Sequence, residues 1–154
     1  MVLVTLGTQF EQFTRLLNML ENSDIDEEII VQAGHTKFES KKMKIFDFIP
    51  YDEMSKLIKE CSLVITHSGT GSILMPLKND KKVIVCPRLA KYNEHVDDHQ
   101  LQITEVFEEA GYVLVLHDGD DINKVYKESK SFKPNKFISN SDNFIKNLKE
   151  EIDS

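Results

Sequence analysis

The run Leu63-Val-Ile-Thr-His-Ser-Gly-Thr-Gly-Ser-Ile-Leu74 constrains this chain more than any other stretch. Leu63 to Thr66 is apolar and β-branched, the pattern of a buried strand. The strand stops at His67. A turn of small residues follows, Ser68-Gly69-Thr70-Gly71-Ser72, and a helix is predicted from Thr70 or Gly71 to about Lys78. A strand, a glycine turn and a helix in that order make an anion site. The first N–H groups of a helix have no partner inside it, and its dipole adds about half a positive charge there. Glycine lets a ligand approach the backbone, and the hydroxyls of Ser68, Thr70 and Ser72 are further donors. A diphosphate is the expected guest. The same turn also serves simply to cap helices, so the local pattern leaves both uses open. It is neither the dinucleotide fingerprint, whose third glycine would fall at Leu74, nor a P-loop, since no Gly-Lys-Ser/Thr follows.

The rest of the chain alternates strands with helices. Val2 to Leu6 is predicted as the first strand, feeding Gly7-Thr8. Phe10, Phe13, Leu17 and Leu20 then recur at helical spacing as a buried face. Strands are expected at Glu28–Ala33, Lys44–Ile49, Lys82–Cys86 and Tyr112–Leu116. Helices are expected from Tyr51, with Met54, Leu57, Ile58 and Cys61 inward, and from an Asp98 N-cap, with Ile103, Val106, Phe107 and Ala110 inward. This order implies one α/β domain over residues 1–154, a Rossmann-like doubly wound parallel sheet with helices on both faces. Its strands should be continuously apolar. The loops after the first, fourth and fifth strands should meet in one cleft. Asp118-Gly-Asp-Asp121 lacks the spacing of a calcium loop and is expected to be a turn with a helix cap at Asp120 or Asp121. A last helix is predicted from Asp142, with Phe144, Ile145, Leu148 and Ile152 on one stripe.

Composition narrows the partners. The net charge of −7 disfavours nucleic acid and charge-driven binding to anionic lipid. The apolar runs are too short to span a membrane. The start, Met1-Val-Leu-Val-Thr-Leu, has no basic region and is read as a strand, not a signal peptide. Cys61 and Cys86 have no metal-ligand spacing and are expected to be reduced core residues of a cytoplasmic protein. No metal and no cofactor is predicted.

The loop Pro87-Arg-Leu-Ala-Lys-Tyr-Asn-Glu-His-Val-Asp-Asp-His-Gln100 is dense in polar groups beside the anion turn. It suits hydroxyl recognition, as for a sugar, and equally suits a solvated surface loop. Together, His67-Ser-Gly-Thr-Gly-Ser-Ile, Pro87-Arg and Glu94-His-Val-Asp-Asp-His-Gln100 resemble the C-terminal, donor-binding half of GT-B glycosyltransferases. The likeness is to the small subunit of split enzymes. These are the PssE-type subunit of bacterial polysaccharide synthesis and the dolichol-pathway N-acetylglucosaminyltransferase small subunit; MurG is a more distant likeness. It runs from the Gly7-Thr8 turn to about Leu116.

The resemblance implies a UDP-sugar donor and a hexosyltransferase that works only with a partner. That partner would be a membrane-anchored N-terminal-half subunit that binds a lipid-linked sugar acceptor. The chain itself would be peripheral at the inner face of the membrane. Gly7, Thr8, His67, Ser68, Gly69, Thr70, Gly71 and Ser72 would hold the diphosphate. Backbone at Phe48 and Ile49 would hold the uracil, and Glu94, His99 and Gln100 the sugar. The acidic ribose ligand of many relatives is replaced by Met75, followed by Pro76. No catalytic base is assigned; His35 and His95 are candidate substitutes, but each is read first as an ordinary polar surface residue. A non-catalytic nucleotide-sugar-binding module is the second reading.

Overall fold

A computed structural model describes residues 1–137, and there six short strands carry the fold. They are β1 (Val2–Thr5), β2 (Ile29–Gln32), β3 (Lys44–Phe46), β4 (Leu63–Thr66), β5 (Val83–Val85) and β6 (Leu114–Val115). All pair parallel, in the order β3-β2-β1-β4-β5-β6. Parallel neighbours need long crossovers, and helices supply them: α1 (Thr14–Glu21), α2 (Tyr51–Glu60), α3 (Thr70–Lys78), α4 (His99–Glu109) and α5 (Ile122–Ser131). This is the Rossmann-like order expected, and the winding reverses between β1 and β4. The chain leaves β1 toward one side and β4 toward the other, which opens a crevice at their C-terminal ends.

Two apolar layers hold the sheet. Successive residues of a strand face opposite sides, so Val2 and Val4 enter one layer and Leu3 the other. On the first side Leu16, Leu17 and Leu20 of α1 and Val125 and Tyr126 of α5 cover Ile65 and Ile84. On the second, Met54 and Ile58 of α2, Ile73 and Leu77 of α3 and Ile103 and Phe107 of α4 cover Val64, Val83 and Val85. Each such side chain contributes about 1.5–3 kcal/mol through burial. Cys61 and Cys86 are free and buried, and burial pushes the Cys86 thiol up to about 12, so it is an inert apolar filler. Among the described residues no helix is long and apolar enough to cross a membrane.

Four details depart from the expectations. Only β1, β4 and β5 are buried throughout; β2 alternates, and the edge strand β3 exposes Lys44 and Phe46. Helices cover the sheet centre and leave that edge partly wet. β3 also ends before Ile49, because its last pairings are Ala33 N–H to Phe46 O and Gly34 N–H to Asp47 O. Phe10 is 80% exposed, not on a buried helix face, since α1 begins only at Thr14. Phe13 N–H donates to Thr36 Oγ1, which ties this stretch to the loop after β2. Asp98 precedes α4 but its side chain does not cap it: Oδ1 accepts from Ala90 N–H. Asp121 does cap α5, accepting from Asn123 N–H. The stripe predicted from Asp142 onward lies outside the described residues.

Candidate functional site

The switch-point crevice holds a cleft of about 330 Å³. Its rim is Gly7, Thr8 and Gln9 from the loop after β1 and His67, Gly69, Gly71 and Ser72 from the turn after β4. Its floor is largely apolar, with Leu3, Val64, Met54, Ile58, Met75 and Pro76. Two of the three expected loops therefore meet here. The loop after β5 stays behind the rim and does not line the cleft.

α3 starts at the cleft with Gly69 in the N-cap position, and no side chain caps it. Ile73 N–H closes the first turn on Gly69 O, which leaves the amides before it facing the crevice. The glycines have separable reasons. A Cβ at Gly69 would meet the His67 ring at 2.4 Å, and one at Gly34 would meet Gly7 O at 2.3 Å. Gly7, at φ +83°, lies against His67 and Gln9. These three serve internal packing. A Cβ at Gly71 would meet nothing within 4 Å. Its side of the helix start is open, which is the space an anion needs.

His67 is buried, at the base of the cleft rim. Its Nδ1 lies 3.1 Å from Gln100 Nε2 and its Nε2 3.2 Å from Ser72 Oγ. Burial, with the nearby Arg88 charge adding to it, pulls its pKa down to about 3, so the ring is neutral. Arg88 itself is wholly buried. Its guanidinium donates to Leu6 O, Glu11 O and Glu94 O and lies 4.9 Å over the Phe13 ring. It clamps the loop after β1 to the loop after β5 and puts a positive charge behind the cleft.

The predicted residues divide into two groups. Gly7, Thr8, His67, Gly69, Gly71 and Ser72 come together around the cleft. Ser68 is turned inward: its N–H donates to Gln100 Oε1 and its Oγ lies 2.8 Å from Thr104 Oγ1. Thr70 belongs to the first turn of α3 but does not line the cleft. Glu94 is buried, paired with Arg15 at 2.9 Å and accepting from Leu89 N–H. Gln100 is 3% exposed, with its amide occupied by Ser68, Arg88 and His67. His99 is half-exposed and lies against Asp97. Ile49 N–H, expected for the uracil, donates to Gln32 Oε1, and Phe48 sits edge-on to His35 outside the cleft lining. His35 stacks on Phe10, and His95 Nδ1 lies 3.0 Å from Asp97.

Sequence reasoning did not single out Gln9, Gln32 or Thr104. Gln9 is the most telling, because its Oε1 is buried with no hydrogen-bond partner among the described residues while lining the cleft. Its position directly after Gly7-Thr8 was the available signal.

A parallel sheet whose winding reverses between β1 and β4, with helices on both faces, defines a Rossmann-like α/β domain. The chain belongs to a narrower group, the glycosyltransferase family 28 C-terminal domain, whose model matches residues 1–153. It is 42% identical over 73 residues to "UDP-N-acetylglucosamine transferase subunit ALG13" of Saccharomyces cerevisiae, covering 47% of this chain and 34% of that protein. The same-named protein of Eremothecium gossypii is 37% identical over 82 residues, covering 52% and 38%. The matches thus span little more than a third of these relatives' length. Among solved structures, the NMR structure of ALG13 superposes at TM-score 0.62 with 24% identity, over 99% of this chain and 96% of that one. The glycotransferase of kitacinnamycin gives 0.61 at 14% identity, over 99% and 38%. These likenesses show a shared fold, that of a Rossmann-like GT-B half, and the family makes this a glycosyltransferase domain.

Proposed function

We propose that this domain binds the UDP-sugar donor of a two-component glycosyltransferase, which transfers a hexose to a lipid-linked acceptor held by a membrane-anchored partner. One observation carries the reading: the uncapped start of α3, open at Gly71 and flanked by His67 and Ser72. The relatives' printed name, a UDP-N-acetylglucosamine transferase subunit, supports both the donor class and the need for a second chain. UDP-N-acetylglucosamine is accordingly the first donor to test. A role in bacterial polysaccharide synthesis, of the PssE kind, belongs to the same proposal and rests on the Glu94-to-Gln100 motif.

The mechanism is electrostatic. In glycosyl transfer the diphosphate leaves with growing negative charge. Donors preorganised around it favour the transition state over the bound donor. Here they are the first amides of α3 and the Ser72 hydroxyl, with the neutral His67 ring behind it. None needs to titrate. Deprotonation of the acceptor hydroxyl is assigned to the partner's side of the cleft. Calorimetry with UDP in EDTA tests the donor site, with metal-independent binding expected. Binding that vanishes in EDTA overturns the backbone-donor mechanism. A transfer assay with the co-expressed partner and a panel of UDP-sugars tests the activity. Full transfer by this chain alone overturns the two-component reading.

A further inference from the structure

We infer that Gln100, His67 and Ser72 form a one-way relay of hydrogen-bond donors that ends on the anion, with Gln100 as the positioning residue that sets its direction. The direction follows from the far end. Ser68 N–H and Arg88 N–H lie 3.1 and 2.9 Å from one atom of the Gln100 amide. Both are obligate donors, so that atom is the carbonyl oxygen and the other end is NH₂. The NH₂ faces His67 Nδ1 at 3.1 Å, so Nδ1 must present its lone pair. A neutral ring then carries its proton on Nε2. Nε2–H points at Ser72 Oγ, 3.2 Å away, and leaves the Ser72 hydrogen free to donate into the cleft.

Reversing the tautomer would reverse every member. Ser72 would then donate back to His67 and turn its lone pairs on the phosphate. Burial and the Arg88 charge both oppose a second proton on the ring and outweigh the Gln100 contact, which favours one. The surroundings reinforce the arrangement. Gln100 is held at the start of α4, where Thr104 Oγ1 donates to its backbone carbonyl and lies 2.8 Å from Ser68 Oγ. The ring is wedged between Gly7 and Gly69, where a side chain on either would strike it. Aligned donors polarise one another, so the last hydroxyl is a better donor than an isolated serine. Its effect on affinity rests on the diphosphate reading above; its direction does not.

Long-range ¹H–¹⁵N spectra of the full chain without nucleotide read the direction. A lone-pair-type Nδ1 and a pyrrole-type Nε2 on His67, unchanged from pH 8 to 5, are expected. A proton on Nδ1, or titration of the ring in that range, overturns the relay whether or not UDP binds. Gln100→Glu provides the second test. Its carboxylate keeps both backbone donors but demands a proton on Nδ1. UDP affinity relative to wild type should fall at least about tenfold at pH 8, the loss of a hydrogen bond to a charged group. The deficit should shrink as pH falls and the ring regains a proton on Nε2. A pH-independent deficit, or none, counts against Gln100 as the positioning residue.

Discussion

The turn after β4 and the loop after β5 invert the usual reading of polarity. The loop from Pro87 to Gln100 is crowded with charge and amides, yet its strongest groups are satisfied internally. Arg88 is wrapped by three carbonyls, Glu94 by Arg15 and Leu89, and Gln100 by Ser68, Arg88 and His67. The turn from His67 to Ser72 is small and plain, yet it opens into the cleft with an uncapped helix start. A binding surface is defined by unoccupied donors, not by polar density. The rich loop is the frame and the plain turn is the instrument.

Breaking the frame should have the largest effect. Arg88→Met keeps the bulk but strips the partner from Leu6 O, Glu11 O and Glu94 O. Leu6 O and Glu94 O are buried, and each buried acceptor left bare costs about 1–3 kcal/mol, so a loss of at least about 2 kcal/mol is expected in urea denaturation. A loss under about 1 kcal/mol would show that the clamp is not structural. Breaking the instrument should do the opposite. Gly71→Val adds a branched side chain where nothing stands within 4 Å, so the melting temperature should hold. UDP affinity should fall about a hundredfold, because the branch fills the space before the helix start. Unchanged affinity in the folded variant would place the diphosphate elsewhere.

The two regions meet at His67, and acid should reveal it. Folding holds this ring near a pKa of about 3, whereas the unfolded chain takes up a proton near the ordinary value of 6.5. Between those values the unfolded state binds more protons, so stability rises with pH and its full value is present above about 6.5. Wild type should lose about 1.4 kcal/mol more per pH unit than His67→Gln between about pH 5.5 and 4.5. Above about pH 7.5 the two slopes should coincide. Parallel slopes throughout would mean that the ring is not buried as a neutral group.

The sheet was legible because periodicity reports burial. Apolar β-branched runs marked the central strands β1, β4 and β5, and Gly34 and Gly111, both at positive φ, marked where β2 and α4 end. Legibility failed where tertiary pairing overrode local pattern. Phe10 has helical spacing with Phe13 but is exposed in the loop that precedes α1. Asp98 has the chemistry of a cap, but Ala90 N–H claims its oxygen. The anion turn was visible because its small residues are local. Whether Glu94 and Gln100 face inward depends on Arg15, Ser68 and His67, between 32 and 79 residues away, and no local pattern records that.

The smallest expected effect bears on which part of the polar loop still faces outward. His99 sits at the start of α4 with its ring half-exposed, and its Nε2 reaches only Asp97, at 3.4 Å. Its backbone N–H is the main reason that the Asp97 carboxyl lies below its usual range, and that bond survives truncation of the side chain. His99→Ala should therefore leave the melting temperature unchanged and UDP affinity within about twofold, since no part of the cleft lining depends on this ring. The ratio of affinities for UDP-N-acetylglucosamine and UDP isolates the sugar. If the imidazole touches a sugar hydroxyl, losing one neutral hydrogen bond should reduce that ratio by about two- to tenfold. An unchanged ratio would leave the loop after β5 as frame alone, and sugar selection would pass to Gln9, whose buried oxygen has no partner among the described residues.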